Sequence, residues 1–149
     1  MLGISTKQKT NILYVHMHKM VREMRIALPC SNNNGLESEI SMHFGRSPYY
    51  AFVDVEGNEI KNFEIVPVPF AEHGPGDLPN FVKENGGNVV IAYGMGGRAI
   101  DFFNQLGIDV ITGASGRVGE VVDAFLKGRI EVDKDWKNKE EFGHHESSH

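Results

Sequence analysis

Residues 88–128 read NVVIAYGMGGRAIDFFNQLGIDVITGASGRVGEVVDAFLKG, and this stretch decides the fold. A short strand at 88–92, apolar after Asn88, leads into the turn Gly94-Met95-Gly96-Gly97, then into helical spacing over 98–106 that Gly107 stops. The rhythm repeats with an apolar run at 108–112, the turn Gly113-Ala114-Ser115-Gly116, and helical spacing over 118–127 stopped by Gly128. Mainly apolar strands alternating with helices through short glycine turns pair in parallel and cross over right-handedly.

Upstream, residues 24–29 (MRIALP) form a buried first strand, ended by Pro29 and the turn-rich SNNNG at 31–35. Residues 49–55 alternate and are rich in aromatic and β-branched side chains. Glu56-Gly57-Asn58-Glu59 turns the chain into a return strand at 60–66, an antiparallel hairpin by loop length alone. Residues 67–79 hold four of the six prolines and form a loop. A short helix over 78–84 ends at Asn85-Gly86-Gly87. The expected class is α/β: a three-layer α/β/α domain with a five-stranded mixed sheet, in a ribonuclease-H-like arrangement. Its simplest order is return strand, first hairpin strand, strand one, then the two later strands. The domain covers 24–132, with an N-terminal extension at 1–23 and a polar, mobile tail at 133–149.

At 149 residues the chain suits one domain with a real core. The net charge of -5 argues against a phosphate-backbone binder, so nucleic acid is not an expected partner. No apolar run approaches the roughly 20 residues of a membrane helix, so a membrane is not expected either. The single cysteine, Cys30, excludes an internal disulfide and a cluster held by four thiolates of one chain. The absence of paired cysteines and of a signal peptide fits a reducing cytoplasm.

The chain does not read as an enzyme. Ribonuclease-H-type chemistry needs several carboxylates converging on two metal ions, whereas Asp54 alone lies inside an early strand and Glu39, Asp77, Asp101 and Asp109 share no pattern. Ser41, Ser47 and Ser115 lack the strand–turn–helix setting of a nucleophile elbow.

The densest segment is SEISMHFGRSPYY at 38–50, just ahead of the hairpin. A first strand MRIALP, then the HFGR-S-P-Y-Y block, the strand AFVDVEG and the later VVIAYGMGGRA together resemble the dinitrogenase iron–molybdenum cofactor biosynthesis family of NifX, NifY and the C-terminal domain of NifB. The likeness covers residues 24–132. It implies binding of iron–molybdenum cofactor or its iron–sulfur precursors, and that His43, the histidine of the block, ligates or positions a metal cluster. A neutral imidazole is a good iron ligand. The plainer alternative is a histidine that caps its own loop.

Cys30 ends the first strand, where open α/β sheets place their ligand crevice, so its thiolate is a candidate second ligand; the plainer role is a small buried hydrophobe. His73, in Glu72-His73-Gly74-Pro75-Gly76, matches a His/Gly-rich stretch of the family and is a candidate third ligand. Gly94, Gly96 and Gly97 bare backbone N–H groups at a helix start, where an anionic cluster would be cradled, with Arg46 and Arg98 adding charge-assisted hydrogen bonds. A dinucleotide site does not fit: the G-x-G-x-x-G spacing is incomplete and the turn follows the fourth strand. Ser115-Gly116 reads as scaffold. The tail carries three histidines and a glutamate in the seven residues from Gly143 to His149, a composition that binds Ni, Zn or Fe weakly. Two functions stand side by side. One is a protein that binds, carries or chaperones an iron–sulfur or iron–molybdenum cluster during metallocofactor biosynthesis, with cluster donor or acceptor proteins as partners. The other is a cofactor-free regulatory or interaction module of the same fold.

Overall fold

The computed structural model describes residues 23–69, 74 and 76–138. Five strands form one sheet: β1 (Met24–Cys30), β2 (Tyr49–Glu56), β3 (Glu59–Pro67), β4 (Val89–Ile91) and β5 (Asp109–Ile111). Three helices accompany them: α1 (Asp77–Glu84), α2 (Gly97–Gln105) and α3 (Val118–Leu126). The strand order is β3-β2-β1-β4-β5, as expected from the sequence. The hairpin is antiparallel and runs from β1 to one edge, whereas β4 and β5 continue from β1 in parallel. The hairpin turn is built on Gly57, whose φ of 66° is left-handed backbone that glycine adopts without cost.

Strand parity divides the core in two. Ile26, Leu28 and Cys30 of β1 join Val53, Val55 and Ile91 under α3, which contributes Val118, Val121, Val122 and Leu126. Ala27 of β1, with Tyr50, Phe52 and Val90, packs on the other face against Leu78, Phe81 and Val82 of α1 and Phe103 of α2. These two clusters give the three layers. No described helix is long and apolar enough to cross a membrane.

The packed chain runs further than composition indicated. The boundary read at Val132 leaves Trp136 in the polar tail, yet its ring is buried beside the α3 cluster and its Nε1–H donates to Thr112 Oγ1 at 3.0 Å. Asp133 N–H donates to Gly113 O at 2.8 Å, and Tyr93 Oη donates to Asp133 Oδ2 at 3.0 Å. One indole and one carboxylate thus fix a segment whose charged neighbours look solvated. The extension over 1–22, His73, and the tail beyond residue 138 with its three histidines lie outside the described residues.

Candidate functional site at the carboxyl edge of the sheet

The connection leaving β1 turns toward β2, and the one leaving β4 turns toward β5. The two loops diverge between β1 and β4, and such a switch point is where open α/β sheets leave their crevice. His43 and Arg46 belong to the first loop; Gly94 and Gly96 belong to the second, and Gly97 and Arg98 open the helix α2 that follows it.

The first loop is a strap with a defined course. Ser41 N–H donates to Pro29 O at 2.9 Å and Ser31 N–H to Glu39 O at 2.9 Å, so residues 38–41 pair back on the end of β1. Ile40 N–H donates to Gly116 O at 2.9 Å and Val118 N–H to Ser38 O at 2.8 Å, which joins the same residues to the turn before α3. Ile40 is buried in the α3-side cluster and Phe44 in the opposite one. The chain therefore crosses the carboxyl edge between those two positions, and His43 lies on the crossing.

His43 is half-buried and stands at the head of a 3-10 turn, Phe44–Arg46. Two buried serines hold its backbone. Ser41 Oγ accepts from His43 N–H and donates to His43 O, each at 3.2 Å, and Ser47 Oγ donates to the same carbonyl at 2.8 Å. The imidazole itself makes no cap bond to the turn; its Nδ1 lies 3.1 Å from Arg46 Nη2. Sequence reasoning used Ser41 and Ser47 only to reject a nucleophile. Hydroxyls bracketing a loop residue form local side-chain-to-backbone turns, and that was the available signal.

The second loop is anchored by Met95, buried with Phe103, and then opens to solvent at Gly96, Gly97 and Arg98. Gly96 is the N-cap of α2 with φ -67° and ψ 156°, and no side chain among the described residues caps that helix start. The start of α3 differs, because the strap's Ser38 carbonyl already takes the Val118 N–H. A Cβ built on Gly96 or Gly97 meets nothing within 4 Å among the described residues, and neither has positive φ. Neither backbone conformation nor packing among the described residues requires glycine there, unlike Gly113, whose φ is +91° and whose added Cβ would stand 2.6 Å from Asp133 O. Gly94 is buried behind them.

Cys30 occupies a different place from His43. Its side chain is fully buried on the α3 face beneath Ile40, while the histidine loop continues to the other face. Burial pushes its thiol up to about 11, against a smaller lowering by a backbone hydrogen bond from Ala51, so it stays protonated at neutral pH. Among the described residues no three His, Cys, Asp or Glu side chains are grouped to hold a metal ion. A cleft of about 420 Å³ opens at the opposite, amino edge of the sheet, beside Arg25, Asp54 and Asn88. Its central charges are already matched: Arg25 binds both Asp54 oxygens, at 2.8 and 2.9 Å, and Glu64 at 2.9 Å.

A family profile described as dinitrogenase iron-molybdenum cofactor matches residues 24–128. An uncharacterized protein of Methanocaldococcus jannaschii is 36% identical over 114 residues, spanning 74% of this chain and 92% of the relative. The crystal structure of PH0822 is similar at TM-score 0.72 and 53% identity, covering 76% of this chain and 100% of that one. The NMR structure of a candidate NifB protein from Thermotoga is similar at TM-score 0.59 and 28% identity, covering 73% of this chain and 92% of that one.

Proposed function

This chain belongs to the dinitrogenase iron–molybdenum cofactor family, and from that premise we propose that it binds and carries an anionic iron–sulfur or iron–molybdenum cluster, as cargo, at the switch point between β1 and β4. The observation that supports the reading is the pair of exposed glycines, Gly96 and Gly97, at a helix start that no side chain among the described residues caps, on the loop that diverges from the His43 loop at the switch point. Nothing among the described residues packs against those glycines, and their bare backbone suits close approach of an inorganic anion.

In this reading His43 supplies the nitrogen ligand. The amides of the Gly94–Gly97 turn and the guanidinium groups of Arg46 and Arg98 neutralise the sulfides. Cys30 takes the packing role that its burial supports, and His73 is the second ligand to test. Few protein ligands favour release, which carriage between cluster donor and acceptor proteins requires. The protein makes and breaks bonds to its cargo only by ligand exchange.

The test is anaerobic loading with iron and sulfide or with a cluster donor, read by absorbance and EPR. Wild type is expected to acquire a cluster signal that His43→Ala reduces and His43→Ala/His73→Ala reduces further. Absence of a signal in wild type, or a signal that His43→Ala leaves unchanged, would remove the proposal.

A further inference from the structure

Arg46 Nη2 lies 3.1 Å from His43 Nδ1, and a guanidinium can only donate. The Nδ1 lone pair is therefore the acceptor in this pair, and the proton of the neutral ring sits on Nε2. A metal needs a ring-nitrogen lone pair. Ligation through Nε2 requires the Nε2 proton to pass through solvent to Nδ1, where it would face the Arg46 N–H, donor against donor. Ligation through Nδ1 requires the nitrogen that Arg46 now covers. By either route the Arg46 contact must open.

We propose that Arg46 is a positioning residue that latches His43 while the site is empty and exchanges His43 for the cargo when it loads. This rests on the cluster-carrier reading and adds its regulation: the latch competes with ligation and so favours release. The local geometry suits an exchange. The His43 backbone is pinned by Ser41 and Ser47 independently of the ring, so the ring changes partner without unfolding the turn. Arg46 is exposed and three residues away on one 3-10 turn, so its side chain swings toward the crevice by rotamer changes alone.

The experiment uses the full chain without iron, with Co2+ alone as probe. Ring ¹⁵N shifts of His43 report its tautomer, and paramagnetic broadening of that ring reports Co2+ binding. Wild type is expected to show the Nε2–H tautomer. Arg46→Met is expected to weaken the preference for that tautomer and lower the Co2+ concentration needed at His43 about fivefold, the ratio that one hydrogen bond supplies. Arg46→Lys, which keeps a cationic donor, is expected to restore both properties toward wild type. A wild-type ring without tautomer preference overturns the proposal. So does a Co2+ response that Arg46→Met leaves unchanged or weakens, or a gain that salt abolishes while the tautomer stays fixed, which is charge repulsion alone. These readouts need no cluster, so a protein that fails to load iron and sulfide removes the carrier reading while the latch is still judged.

Discussion

Phe44 meets Phe103 edge-on, with ring centroids 5.7 Å apart and planes at 70°. This contact joins the turn that carries His43 to α2, the helix that begins at the glycine turn, so an aromatic pair ties together the two loops of the proposed site. Tyr50 adds a second edge contact to Phe44 at 6.2 Å.

Phe44→Ala is expected to destabilise the fold by about 3 kcal/mol, as large-to-small changes in an aromatic core do. It is also expected to weaken cluster loading without removing a ligand. Thermal unfolding together with cluster occupancy checks both, and a variant that loads normally would separate the turn from α2.

Gly97→Ala separates site from scaffold. With open space around the new Cβ and a helical backbone, stability is expected to stay level or rise by up to about 1 kcal/mol. Cluster affinity is expected to fall about tenfold, because in the proposed site the Cβ would stand where the cargo approaches the amides. Gly113→Ala, with positive φ and a 2.6 Å clash with Asp133 O, is the opposite case and is expected to destabilise.

Cys30 is expected to resist iodoacetamide in the native protein at pH 8, since burial keeps it as the thiol. The sign of its pH effect follows from the same shift. The unfolded thiol ionises near its ordinary 9.0, whereas the folded one holds its proton to about 11. Its contribution is fully present below pH 9 and is lost as pH rises toward 11. Denaturation of wild type and Cys30→Ala across this window is expected to show their stability difference shrinking as pH rises.

Trp136→Ala is expected to cost about 3 kcal/mol through the emptied site and to leave Thr112 Oγ1 without its indole donor. A chain ending at residue 132 is expected to melt well below one ending at 138. Equal melting of the two would contradict the packing of this segment.

The repeated strand–turn–helix rhythm of 88–128 made the parallel half of the sheet legible, and hairpin spacing gave the antiparallel half. The site was legible in part. The HFGR block marked His43 and Arg46, and glycine spacing marked the second loop. The direction of Cys30 was also readable: it shares parity with Ile26 and Leu28 and so faces α3. Three features stayed hidden, two because they are tertiary and one because it is a matter of side-chain rotamers. The strap pairs residues far apart in sequence, Glu39 with Arg117. Trp136 packs against elements that precede it by many residues. The contact between Arg46 and the His43 ring depends on rotamers that spacing does not encode.

The most direct measurement is hyperfine spectroscopy on protein labelled with ¹⁵N-histidine and loaded with a paramagnetic cluster. The account predicts a nitrogen coupling that disappears in His43→Ala, with broadening of the Gly96 and Gly97 amides in matched NMR spectra. A bound cluster showing no histidine coupling, or one leaving those amides untouched, would contradict it.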